Sequence, residues 1–446
     1  MRLPHSPRPP LSLPVPGDDA LAASQALQQL ISEDIRAQAG WISFARYMEL
    51  ALYAPDLGYY SGGAAKLGKD GDFTTAPEMS PLFGATLAQL AGALFAQTSA
   101  NVMEFGAGTG RLAFDFLSEC QVSGIAIERY FIVELSGELR ARQEDLLKNF
   151  PQVQWLQQMP ASFNGVVLGN EVLDAMPVQL VCKTEQGWRE VGVSLADEQN
   201  TLAPDALALD ASATESVALI GLMASTAASF VWSERDCDAA LMAQLQAQIP
   251  DHDELPLGYL TELHAVSSGF MRSLAGMLTA GEQDSQGASV DAVTTAEPEI
   301  AKPGSAAVAI LVDYGFPSYE YYLEQRAQGT LMCHYRHHSH PDPFYLPGLQ
   351  DITAHVDFTA MALVAQAGGL DVLAYMSQAG FLLEAGIAQL LMRTPADDPM
   401  QYLPQANALQ KLISPAEMGE LFKVLIVGSG VELDPQLLRH DRSHRL

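Results

Sequence analysis

The chain has 446 residues, 24 of them basic and 53 acidic, for a formal charge of −29. That balance argues against nonspecific binding to nucleic acid or to an anionic membrane surface, and it suits a basic protein partner. The length points to two domains, or to one core with large additions, and 48% hydrophobic residues can pack it. Cys120, Cys182, Cys237 and Cys333 form no C-x-x-C pair and read as free thiols of a reducing compartment. No run of about 18 apolar residues is present, so no membrane span is expected. The first sixteen residues hold six prolines and no apolar stretch, which fits neither a secretory signal nor a helical presequence. A cytoplasmic location is the expectation.

Residues 1–20 are expected to be a disordered tail. The spacing of Leu27, Leu30, Ile31 and Ile35 predicts a helix over 21–39, stopped by Gly40. A second helix starts within 42–48, with Ser43 as its N-cap. A third is predicted over 82–96, completing an N-terminal helical region over 21–98. Ahead of that third helix, Gly71–Gly84 carries Thr74, Thr75, Asp72 and Glu78. This stretch is either a plain helix start capped by Thr75 or Ser80, or a segment in which Thr75 and Glu78 reach the cofactor or the substrate.

From residue 102 the pattern alternates: strand 102–105, helix 111–119, strand 130–134, helix 136–149, and strands 153–156 and 165–169. That is the rhythm of an α/β fold with a doubly wound, Rossmann-like parallel sheet. An insertion over 178–260 follows, opening with a hairpin over 178–193 and holding a strand near Phe230. A helix is predicted over 261–278. An acidic, Ser/Gly/Thr-rich disordered loop is expected over 281–304. A buried strand over 306–312 comes next, and strands at 371–376 and 421–427 would supply an antiparallel edge. The core domain thus spans 99–446.

The chemistry concentrates at strand ends. Gly106-Ala107-Gly108-Thr109-Gly110 follows the first strand and precedes a helix, a turn that brings backbone close to a ligand. The dinucleotide fingerprint needs a third glycine where Arg111 stands, which weakens a nicotinamide-dependent oxidoreductase. Glu134 tips the second strand, where an acid can accept hydrogen bonds from both ribose hydroxyls. S-adenosylmethionine carries that ribose without a pyrophosphate. The fourth strand empties into Asn170-Glu171-Val172-Leu173-Asp174, at the same edge of the sheet. Asn170 is assigned to the cofactor with Gly106, Ala107, Gly108, Gly110 and Glu134. Four of ten histidines fall between 334 and 340. Their spacing is not that of a zinc site, and a loop around the substrate mouth is preferred.

Together these stretches resemble one family, the MidA-like class I S-adenosylmethionine-dependent methyltransferases. The resemblance rests on Gly71–Phe83, Glu104–Leu112, the strand ending at Glu134, Gly169–Val178, Leu311–Gly315, Gly329–His337, Asp351–Phe358 and Met418–Val424. It implies S-adenosylmethionine as cofactor and a protein substrate, with arginine as acceptor and a respiratory-chain subunit as partner in mitochondrial members. A guanidinium is charged and its nitrogens are poor nucleophiles, so a pair of carboxylates should hold its planar fork. Glu171 and Asp174 fit that place, the alternative being surface loop acids, and Glu78 is a third candidate. His337 falls on a family motif and reads as a general base or a structural anchor. A non-catalytic assembly factor that binds the cofactor stays open, as does a homodimer.

Overall fold

The computed structural model describes residues 13–62, 75–196, 229–283 and 306–446. The loop expected over 281–304 lies outside these residues, except that the helix Ala265–Gln283 extends to its first positions. Most of the expected tail lies outside them too, although helix α1 begins at Asp18 and runs to Ala37.

A central sheet organises the fold. It contains β2 (Asn101–Phe105), β3 (Arg129–Val133), β4 (Val153–Leu156), β5 (Gly165–Asn170) and β10 (Ala307–Phe316). These five run parallel in the order β4-β3-β2-β5-β10. Beyond β10 lie β16 (Phe422–Ser429) and β15 (Asp371–Ser377), both in antiparallel pairings, as the edge expectation required. Strand residues alternate between two cores. Val308, Ile310 and Val312 face one, with the helices α4 (Pro81–Leu94) and α5 (Arg111–Ser123). Ala309 and Leu311 face the other, with Met271 and Leu274 of Ala265–Gln283 and Met361 of the helix Phe358–Ala367. Cover on both faces explains why these strands read as unbroken apolar runs.

A second sheet holds β1 (Ile42–Ser43), β6 (Gln179–Thr184), β7 (Gly187–Leu195), β8 (Phe230–Asp236) and β9 (Leu260–Leu263). Its order is β1-β7-β6-β9, with β8 also on β7. Helix α1 and helix α2 (Phe44–Tyr53) pack on it through Leu27, Ile31, Phe44, Tyr47 and Met48. Ser43 caps α2 by accepting from the Arg46 N–H at 3.2 Å. The expected N-terminal helical region therefore divides: α1 and α2 join the insertion, whereas α4 joins the central core.

The helix expected over 261–278 is corrected at its start. Residues 260–263 are β9, paired with β6, because Glu262 is buried and satisfied there by non-local partners. It accepts from the backbone N–H of Thr330 (2.7 Å) and Leu331 (2.9 Å) and from the Tyr321 hydroxyl (2.8 Å). A third sheet joins β11 (Met332–Tyr335), β12 (His338–His340) and β13 (Asp351–Thr353). The two-residue β14 (Val356–Asp357) pairs with the end of β10. Among the described residues no helix is long and apolar enough to cross a membrane.

Gly192 on β7 lies against β1: a Cβ there would come within 2.2 Å of the Ile42 carbonyl oxygen and of the Trp41 ring. Gly192→Ala should cost about 1–3 kcal/mol by overpacking. Urea unfolding checks this, and an unchanged midpoint would show that β1 does not need this close approach.

Candidate active site

The carboxyl ends of β2, β3, β5 and β10 open on one cavity of about 890 Å³. The order β3-β2-β5 reverses the chain's progress across the sheet between β2 and β5, where open α/β sheets place ligands. After β2 the chain turns through Gly106, Gly108 and Gly110, all left-handed, at φ +67°, +52° and +85°. A Cβ on Gly106 would stand 3.0 Å from Val172 Cγ2, so the turn and the β5 loop approach as closely as glycine allows. Gly106, Ala107 and Gly108 line the cavity; Gly110 shapes the turn from behind and starts α5.

Glu134 follows β3 directly and lines the same cavity. Its carboxylate accepts from the Ser136 N–H (2.8 Å) and from Gln143 Nε2 (2.9 Å). Burial raises its pKa, and these hydrogen bonds oppose the rise. Gln143 itself is fully buried on α6 (Gly137–Leu146) and also donates to the Gly108 carbonyl at 2.9 Å. Its Oε1 accepts from Trp155 Nε1 at 2.9 Å. One side-chain amide thus fixes the glycine turn and Glu134 to each other. On β2 the buried Glu104 takes a 2.7 Å hydrogen bond from Tyr130, and burial lifts its carboxyl to about 7.

Asn170, Glu171 and Asp174 all line the cavity from the β5 side. Glu171 is left-handed at φ +54°, a conformation that side chains resist. Asp313 holds it there. One Asp313 oxygen accepts the N–H groups of Val172 (3.1 Å), Leu173 (2.8 Å) and Asp174 (3.3 Å), and the other accepts from Tyr314 (2.9 Å). Burial lifts Glu171 to about 8, with Asp174 and Asp351 adding to the rise and Asn170 Nδ2, at 3.0 Å, opposing it. Burial lifts Asp174 to about 6 against a hydrogen bond from Tyr314. Asp174 Oδ1 and Asn170 Oδ1 are buried without a hydrogen-bond partner among the described residues.

The short helix α3 (Ala76–Met79) covers the turn. Thr75, which precedes α3, and Glu78 line the cavity, and Glu78 accepts a hydrogen bond from the Thr109 hydroxyl. The helix-start reading of this stretch also has a place, since Ser80 caps α4 by accepting from Leu82 N–H at 3.2 Å. Tyr53, Tyr60, His334, Asp351 and Thr353 also line the cavity. His334 and Asp351 face each other across the β11–β13 pair. Burial lowers the His334 pKa.

His337 is not with them. It sits in the exposed β11–β12 turn at φ +63°, outside the cavity lining, while His334 takes the place in the wall. Among the described residues no group of three or more His, Cys, Asp or Glu side chains is arranged to hold a metal ion. Sequence reasoning gave no role to Gln143, Asp313, Tyr60 or Asp351, and reached His334 only as part of a histidine loop expected at the substrate mouth. Asp313 did carry a signal, being an acid near the end of a buried strand like Glu134.

The cradle fits a nucleoside: glycines leave room over the backbone, and a held carboxylate waits at the second strand. Glu134→Ala should weaken S-adenosylhomocysteine binding by about 1.5–3 kcal/mol. Calorimetry with unchanged affinity would remove Glu134 from the cofactor. Glu171 also carries a stability cost. Its folded pKa of about 8 lies above the unfolded value of 4.5, so the penalty of burying its charge sets in as pH rises through that window and is complete above it. Glu171→Gln should therefore stabilise the protein most above pH 8, on the order of 1.4 kcal/mol per pKa unit, and not at all near pH 4.5. Thermal unfolding at both pH values decides this.

Residues 82–376 match a family described as "Putative S-adenosyl-L-methionine-dependent methyltransferase". A Burkholderia thailandensis protein crystallised with S-adenosyl-homocysteine is 44% identical, with a TM-score of 0.79 over 98% of this chain and 100% of that one. Among curated proteins, "Protein arginine methyltransferase NDUFAF7, mitochondrial" of Danio rerio is 26% identical over 423 residues, 87% of this chain and 83% of its own. The Rattus norvegicus protein of the same name is 26% identical over 443 residues, 91% of this chain and 83% of its own. The chain belongs to this family and is an S-adenosyl-L-methionine-dependent methyltransferase.

Proposed function

We propose that the chain methylates an arginine side chain of a protein, with Glu171 and Asp174 holding the guanidinium. The observation that carries this is the charge of the cavity wall. Eight lining residues are acidic, while the basic ones are Arg111, which pairs with Asp115 at 2.8 Å, and His334. Such a wall favours a cation, and a carboxylate pair can take the guanidinium fork in its own plane. The arginine in the relatives' names agrees with this reading.

When bound, the cofactor would supply an electrophilic methyl group, its sulfur–carbon bond breaking as the nitrogen–carbon bond forms so that it leaves as the neutral thioether. The protein's own part is alignment and charge. Glu171 and Asp174 orient one guanidinium nitrogen, Asp313 keeps both carboxylates on one rigid turn, and Glu134 and the glycine turn hold the cofactor. The acceptor nitrogen loses one proton as its bond to carbon forms. Burial holds the Glu171 carboxyl at about 8 in the empty site, and a guanidinium bound beside it favours the carboxylate form, which can then take that proton. Gly110, Asn170, Thr75 and Glu78 complete the cofactor side. His337 lies outside the wall, and the role of anchoring the hairpin suits its place better than that of a base. A respiratory-chain subunit is the acceptor protein that the family resemblance implies, and the cytoplasm the expected location.

Cell extract lacking this protein, supplied with it and with tritiated S-adenosylmethionine, should yield a labelled protein whose mass spectrum places the methyl on arginine. Label on lysine, glutamine or a small molecule overturns the arginine reading. Glu171→Gln should lower transfer by about 10²-fold while S-adenosylhomocysteine affinity persists. Lost cofactor affinity with unimpaired transfer at saturating cofactor would move Glu171 to the cofactor side.

A further inference from the structure

Part of the cavity wall is built of aromatic rings. Tyr53 and Tyr60 both line it and stack on each other, with centroids 5.5 Å apart and planes 23° from parallel. The Tyr53 hydroxyl donates to the Ala175 carbonyl at 2.9 Å, tying the pair to the residue after Asp174. The Tyr60 hydroxyl lies 3.0 Å from both oxygens of Asp351. Tyr59, fully buried, meets the Tyr60 ring edge-on at 5.0 Å. Asp351 is fixed in turn, since one of its oxygens accepts from the Ile352 N–H at 2.9 Å. Asp351 also acts electrostatically on Glu171. Rings and carboxylates therefore surround one volume, and each ring is held before anything binds.

We propose that Tyr53 and Tyr60, with Asp351 behind them, form the face of the substrate subsite that selects a flat, delocalised cation, a guanidinium, over an ammonium. This rests on the arginine reading above and says how the site would enforce it. The carboxylates match the guanidinium fork, but their charge attracts an ammonium as well. An aromatic face separates them. Guanidinium is planar and weakly hydrated and stacks on a ring, whereas an ammonium is a compact, strongly hydrated charge that loses water without gaining a stack. Holding the rings in advance removes the entropy that loose side chains would lose on binding. Asp351 serves twice, fixing the Tyr60 ring through its hydroxyl and adding negative charge to the subsite. The wall comes from the end of α2 (Tyr53), the turn after it (Tyr60) and β13 (Asp351).

Calorimetry on protein saturated with S-adenosylhomocysteine tests this with two small probes, Nα-acetyl-arginine methylamide and Nα-acetyl-lysine methylamide. The wild type should bind the arginine probe at least tenfold more tightly. Tyr60→Leu should bring the two affinities within twofold, and Tyr60→Phe, which keeps the ring but releases Asp351, should give an intermediate ratio. Affinity for S-adenosylhomocysteine should stay within twofold in both variants. Tyr53→Leu repeats the test at a partly exposed position if Tyr60→Leu does not unfold cooperatively. A wild type with no preference for the arginine probe overturns the arginine reading and the selecting wall together. A preference that survives both leucine variants overturns the wall alone. Folded variants that lose S-adenosylhomocysteine would assign the tyrosines to the cofactor and overturn the wall as well.

Discussion

The site depends on one buried carboxylate that touches neither of the proposed ligands. Asp313 receives four backbone N–H groups, three from the turn after β5 and one from its own strand. A loop that carries Glu171 with a left-handed backbone and Asp174 with an unpaired oxygen would otherwise relax. Both acids repel Asp313; Asp313 and Asp174 are buried and Glu171 is half-buried. The N–H groups make that crowding tolerable by stabilising charge where water cannot reach. Gln143 does the equivalent work on the other side of the cavity, with both amide hydrogens and its oxygen committed. The two halves of the site are thus each built on a side chain that is fully used by the protein.

Much of this arrangement was legible in the sequence wherever the signal was local. Strands buried on both faces produce apolar runs, and their ends put Glu134 and Asn170–Asp174 at one edge without further information. The glycine turn was readable because left-handed backbone at three alternate positions needs glycine. Short strands were not. β9 has four residues and a buried glutamate, which only partners some seventy residues later can satisfy. β1 has two residues and exists because β7 lies beside it.

The tyrosine wall was illegible for a different reason. Tyr60 and Asp351 are 291 positions apart, and no pattern in either stretch announces the other. The histidines show how fine the distinction is. In a strand, alternate side chains point to opposite faces, and the β11–β13 register sets His334 opposite Asp351. Three residues on, the chain has already turned, and His337 stands in solvent. A motif match weighs both histidines alike, whereas the pairing register separates them.

Helix α3 is only four residues long, yet it touches both halves of the site. Its first backbone N–H bonds the Glu171 carboxylate, and its Glu78 takes the hydroxyl of Thr109 in the glycine turn. A cation that draws the charge of Glu171 towards itself would weaken the bond to Ala76 and so act on the segment bonded to the glycine turn. Thermodynamic linkage makes that influence mutual: whatever factor the acceptor imposes on cofactor affinity, the cofactor imposes on the acceptor. The same four residues lie over the turn that the spent cofactor must leave. The cycle would then be ordered by one short helix bonded to both sides, and the two substrates would behave as parts of one equilibrium.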